Sequence, residues 1–131
     1  ASAVLIYGAI NSPLSQPRNL IGGHILSAIV GVISFKLFGQ NVWLASALAV
    51  STSILVMQLT LTLHPPGGAT ALIAVIGSPK IHDLGFLYVI VPVASGSFIL
   101  LLIAFFVNNI SKHREYPLGF KKSNKEWFTD E

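Results

Sequence analysis

The chain has 131 residues, of which 53% are hydrophobic and only 10% charged, with a net charge of +3 and no cysteine. So apolar a composition lies outside the range of soluble domains and inside that of multi-span membrane proteins, and its sparse cations argue against nucleic acid as a partner. The missing cysteines exclude disulfides, thiolate metal sites and thiol catalysis.

Residues 1 to 10 are apolar but too short to cross a hydrocarbon core of roughly 30 Å at about 1.5 Å per helical residue, and they read as a half-helix. Residues 20 to 38 form the first full span. Its approach, Gln16-Pro17-Arg18-Asn19-Leu20-Ile21-Gly22-Gly23-His24, holds the only arginine before residue 114. Arg18 has two readings, a fixed charge that steers an anion inward and an interfacial arginine reaching for headgroups. His24, Ser27 and Gly31 share one helical face, which points the histidine toward packed protein, as a ligand or as a hydrogen-bonded core group.

Residues 42 to 63 form the second span, with small residues at Ala45, Ala49 and Ser53 and polar ones at Ser51, Gln58 and Thr62. Those polar residues suit a wall leading to the following break, or hydrogen bonds between helices. The small-residue stripes on both spans suit close packing within the chain or an interface between copies. Residues 67 to 77 are a second short apolar segment, again a half-helix, and residues 84 to 107 are a third span with Pro92 as a kink. Lys36, Trp43, Tyr88 and Tyr116 look like span-end anchors, and His82-Asp83 like a loop pair. Nine of the charges fall from Lys112 onward, so residues 118 to 131 read as a polar tail. The cluster Lys112, His113, Arg114 favours a cytoplasmic or stromal C-terminus.

The fold class is therefore an all-α membrane protein, a multi-span bundle with two interrupted segments. The two short segments match each other: Ala1-Ser2-Ala3-Val4-Leu5-Ile6 parallels Ala69-Thr70-Ala71-Leu72-Ile73-Ala74, and each is followed by Ser-Pro (Ser12-Pro13, Ser78-Pro79). An internal duplication explains this, as in transporters built from paired broken helices. The second half has a long span before its half-helix and the first half has none, so the pattern predicts a further helix ahead of Ala1.

Chemistry concentrates at His64-Pro65-Pro66-Gly67-Gly68-Ala69-Thr70-Ala71, where a span stops and a half-helix starts. Proline deletes a backbone donor, and each unpaired backbone group in hydrocarbon costs roughly several kcal/mol, so such a break is sheltered by protein or lines a polar cavity. Amides at the start of the half-helix, near Gly67, Gly68 and Thr70, are expected to form an anion site beside an ionisable His64. The competing reading is that His64 caps the preceding helix and Pro65-Pro66 only turns the chain. Catalysis finds little support, for there is no His-Glu-x-x-His helix, no pair of intramembrane acids and no Gly-x-Ser-x-Gly elbow; nor is any cofactor called for.

Pro17-Arg18-Asn19-Leu20-Ile21-Gly22-Gly23-His24 and Leu63-His64-Pro65-Pro66-Gly67-Gly68-Ala69-Thr70-Ala71-Leu72 resemble the HPP family of integral membrane proteins, named for the His-Pro-Pro motif; Asn108-Asn109 and Tyr116-Pro117 fit as well. The resemblance runs from Ala1 to about Pro117 and implies a four-helix membrane domain. Because cyanobacterial and chloroplast members are implicated in nitrite transport, it also implies a small-anion transporter in a bacterial plasma membrane or plastid inner envelope. Expected binding residues are then His64, Pro65, Pro66, Gly67, Gly68, Thr70, Arg18, Asn19 and His24, with homo-oligomers in the bilayer. A membrane-embedded structural or regulatory module, assembled through its small-residue stripes, is the rival class.

Overall fold

The computed structural model describes residues 1–119. These residues are all-helical, without strands. Six helices follow in order: α1 (Ser2–Gly8), α2 (Pro17–Phe38), α3 (Val42–Leu59), α4 (Pro66–Ile76), α5 (Pro79–Leu84) and α6 (Ser95–Ile110). A single 3-10 turn, Pro13–Ser15, precedes α2, and a segment kinked at Val91, Val89–Ala94, feeds α6. Three stretches are long and apolar enough to cross a membrane: Pro17–Phe38, Val42–Leu59 and Val89–Ile110.

The boundaries follow from local chemistry. Pro17 occupies the first position of α2, where its missing N–H is no loss, so this helix starts three residues ahead of the expected residue 20. Asn41 caps α3, its side chain accepting from the Leu44 amide at 3.1 Å. This helix stops at Leu59 rather than 63 because Leu61 takes a left-handed conformation (φ 55), while the Thr62 amide reaches back to the Met57 carbonyl at 2.9 Å. That six-to-one bond is the Schellman termination.

The third span also differs from the expected residues 84 to 107. Gly85 (φ 52) ends α5, and the span runs from Val89 to Ile110. Within it Val91 is extended (φ −129, ψ 115), as the clash with a following proline demands, so the kink lies at Val91-Pro92. The first half-helix is likewise shorter than residues 1 to 10, covering Ser2–Gly8 only. The duplicated Ser-Pro pairs do play matching parts, since Ser12 and Ser78 are the caps of the Pro13–Ser15 turn and of α5.

α2 is the centre of the bundle, and α4 packs against both α2 and α3, which also contact each other. The stripe Gly23, Ser27 and Gly31 is buried and faces α4, as are Ala45, Ala49 and Ser53 of α3. Ala45 and Ala49 form one apolar cluster with Ala71 and Val75 of α4. Both stripes are thus used inside the chain. Contact at Gly31 is closest: a Cβ there would lie 2.5 Å from the Ala71 carbonyl oxygen and 2.8 Å from its Cα. Large apolar side chains such as Trp43, Leu55, Phe106 and Ile110 point outward, as suits a lipid solvent.

Residues 108 to 118 fold back over the loop between α1 and α2. Asn108 donates to the Ile6 carbonyl at 3.0 Å, Arg114 donates to the Tyr7 carbonyl and to Asn108 Oδ1, and the Leu118 amide donates to Gln16 Oε1 at 3.0 Å. Tyr116 is not a span-end anchor: it is fully buried and its hydroxyl donates to the Ser15 carbonyl at 2.7 Å. Burial, with Tyr7 nearby, pushes this phenol up to about 12, so it remains a donor throughout the physiological range. Of the polar tail at 118 to 131, residues 120–131 lie outside the described residues.

The Gly31 contact generates a test. Gly31→Ala pushes a methyl against backbone that cannot move aside and is expected to lower stability by ~1–3 kcal/mol in detergent unfolding. Gly8→Ala, with nothing within 4 Å of the new methyl, is expected to change stability by less than ~0.5 kcal/mol.

Candidate functional site

Once α3 has ended, the carbonyls of Thr60 and Leu63 fall between α3 and α4, and α2 supplies their partners. Arg18 donates to the Thr60 carbonyl at 3.1 Å and Asn19 to the Leu63 carbonyl at 2.8 Å. These two expected binding residues therefore hold the break from outside, and Arg18 is exposed. The break also packs directly on glycine backbone. A Cβ at Gly22 would lie 2.8 Å from the Thr62 side chain, and one at Gly23 only 2.5 Å from His64 Cβ. His64 is thereby pressed into the bundle, with none of its surface exposed.

The start of α4 differs from the expected open cradle of amides. The Gly67 amide donates to the His64 carbonyl at 2.8 Å and the Gly68 amide to the Pro65 carbonyl at 3.1 Å. Pro66, Gly67, Gly68 and Thr70 are buried, while Pro65 is exposed. The space beside Gly67 is taken by Ser27 Oγ, the Gly23 carbonyl and Met57 Sδ. Gly67 therefore admits α2 rather than a ligand, Gly68 faces Val50 of α3, and the amides of both close the first turn of the helix. A polar wall on α3 does not form either: Ser51 and Gln58 face outward, Ser51 donating to its own helix at Ala47, and Thr62 alone turns in.

What the structure does bring together is a chain of four side chains. His64 Nδ1 lies 2.8 Å from the Leu14 carbonyl, and its Nε2 lies 3.1 Å from Ser2 Oγ. The same Ser2 Oγ lies 2.7 Å from His24 Nε2, whose Nδ1 lies 2.7 Å from Thr70 Oγ1. The two imidazole rings are 4.9 Å apart between centroids, tilted by 60°. Thr70 is fixed from behind, its carbonyl accepting from the Tyr88 hydroxyl at 3.0 Å, so Tyr88 is a buried brace and not a span-end anchor.

Beside this chain a cleft of about 260 Å³ opens between α1, α4 and the third span, lined by Ser2, His24, Thr70, Pro92, Gly96 and Ser97 among others. His24 and Thr70 line it; His64 sits behind them. Every polar atom that α1, α2 and α4 bring here is a hydroxyl or an imidazole, and these three helices carry no acid. Among the described residues no group of three His, Asp or Glu side chains could hold a metal ion.

Ser2 and Ser97 escaped the sequence reading as site residues, and Tyr88 entered it only as a span-end anchor. For Ser2 a signal was present, since the duplicated segments align Ser2 with Thr70, and these two hydroxyls flank His24 on its two ring nitrogens.

Comparison with known proteins gives a match to the family profile described as HPP, transmembrane region, over residues 1–117. Two proteins of Dictyostelium discoideum, each named only as a transmembrane protein, are 55% and 54% identical over 121 residues, covering 90% of this chain. The chain spans 42% and 39% of their lengths. No solved structure matches.

The brace on the break can be tested. Asn19→Ala frees the Leu63 carbonyl and is expected to lower stability by about 1 kcal/mol. It should also speed hydrogen exchange at residues 62 to 64 selectively, while α6 exchanges as before.

Proposed function

Because the chain belongs to the HPP transmembrane family, we propose that it carries a small monovalent anion across the membrane, with nitrite the first candidate. The observation that carries this reading is the cleft bordered by His24 and Thr70, a largely apolar recess edged by the hydroxyls of Ser2, Thr70 and Ser97 and the His24 imidazole, beside helices α1, α2 and α4 that are free of acidic side chains. Hydroxyl and imidazole N–H groups replace an anion's hydration, and the apolar walls strengthen each of those bonds. The broken segment keeps a role in this reading, but indirectly: His64 orients the donors instead of offering the amides of Gly67 and Gly68. Rocking of one repeat against the other, α1 with α2 against α3, α4 and the third span, would expose the cleft to alternate sides. The reading involves no bond-making chemistry and no cofactor. Its bacterial or plastid setting rests on the family resemblance alone, as both relatives come from Dictyostelium discoideum.

One observation favours the rival class, a structural or regulatory membrane module: each atom of the His64-Ser2-His24-Thr70 chain already has a protein partner. Against that module stands the use of both small-residue stripes within the chain, which leaves its assembly, and the homo-oligomer proposed here, to other outward faces.

Reconstituted vesicles separate the two. Saturable uptake of nitrite, nitrate, formate or chloride is expected from the wild type, and His24→Ala should lower it at least about tenfold with assembly intact. Absence of uptake for all four anions in a folded wild type, with His24→Ala altering only assembly, would establish the structural module instead.

A further inference from the structure

The hydrogen-bond chain has a direction that its end groups impose. A backbone carbonyl only accepts, so His64 Nδ1 carries a hydrogen and donates it to Leu14. In a neutral ring Nε2 is then an acceptor, so the Ser2 hydroxyl donates to it. Ser2 has a single hydrogen and therefore accepts from His24 Nε2–H. That leaves His24 Nδ1 as an acceptor for the Thr70 hydroxyl. All four bonds are satisfied with both rings neutral, and the two histidines hold opposite tautomers.

We propose that this chain is a proton site, in which Ser2 passes one proton between His24 and His64, making a proton the second cargo of the protein. This rests on the anion-transport reading for its purpose but not for its chemistry. A proton arriving from the cleft binds His24 Nδ1, which then donates to Thr70 Oγ1. His24 Nε2 gives its hydrogen to Ser2 Oγ as the Ser2 hydrogen moves to His64 Nε2. The added charge then rests on His64, whose two nitrogens donate to Leu14 and Ser2, while His24 is neutral with its hydrogen on Nδ1. One proton has entered, each bond between side chains has reversed, and none has been lost.

The reversal changes what the cleft presents. Before it, the Thr70 hydrogen is committed to His24; after it, Thr70 accepts from His24 and its own hydrogen is free to donate into the cleft. An anion there gains a donor and a nearby positive charge together, so proton and anion bind cooperatively, one of each. Two rings 4.9 Å apart do not both take a charge, which limits the pair to one proton. The groups facing the pair agree with this stoichiometry. α3, α4 and the third span carry no titratable side chain, Tyr88 reaches Thr70 through its carbonyl, and Arg18 lies outward at Thr60.

Two readouts on the full chain in vesicles test the relay. Imidazole nitrogen NMR should show, at alkaline pH, hydrogen on Nε2 of His24 and on Nδ1 of His64, and on acidification one proton shared by the pair. Ser2→Ala, a small change on a short helix, should abolish the sharing, and Ser2→Thr should restore it. The opposite tautomers, or titrations that Ser2→Ala leaves unchanged, would overturn the proposal. In the second readout, nitrite uptake corrected for protein-free vesicles should acidify the lumen and fall about tenfold or more in Ser2→Ala. Nitrite flux indifferent to the proton gradient defeats the relay and leaves transport standing. No flux, with the NMR signature intact, defeats transport and upholds the proton site.

Discussion

A helix that stops inside an apolar bundle must find partners for the backbone groups it releases, and in this protein α2 supplies them. Arg18 and Asn19 take the carbonyls of Thr60 and Leu63, and the paired glycines at 22 and 23 let Thr62 and His64 lie against the α2 backbone. The remaining features depend on this seal. It brackets Leu61, whose left-handed conformation a leucine rarely adopts and whose turn is closed by the last carbonyls of α3, and it sets the path from α3 to α4.

That position in turn sets the site. With Gly23, Ser27 and Gly31 facing Gly67 and Ala71, α4 approaches α2 closely enough for Thr70 to reach His24. His64, held between Gly23 and the Leu14 carbonyl, reaches the same point from the other side through Ser2. Close packing and polar chemistry are here one arrangement: the small residues bring the helices near, and the histidine chain uses the proximity.

Much of the architecture was legible in the sequence. Hydropathy and length gave three spans and two half-helices, and Ser-Pro at 12-13 and 78-79 marked matching turns. Boundaries were harder, because the φ of Leu61 and the conformation forced on Val91 by Pro92 are local events within runs of uniform hydropathy. The site was half legible. His24, His64 and Thr70 stood out as polar residues on apolar segments. What Gly67 does depends on a neighbour, α2, that no local pattern reveals, and the inward turn of Tyr88 and Tyr116 likewise depends on carbonyls far away in sequence, those of Thr70 and Ser15.

If the protein carries an anion as proposed, the cleft beside His24 and Thr70 receives it from water. Gly96 lines it and has nothing within 4 Å of a new side chain, and the protein has no cysteine of its own. The direct measurement is therefore the rate at which a membrane-impermeant thiol reagent labels Gly96→Cys in intact vesicles, compared with Phe98→Cys on the outward face. Labelling at position 96 is expected to slow as nitrite or another small monovalent anion is added, with none at 98. Equal labelling of both, or labelling at 96 that no anion slows, would contradict the anion-transport reading.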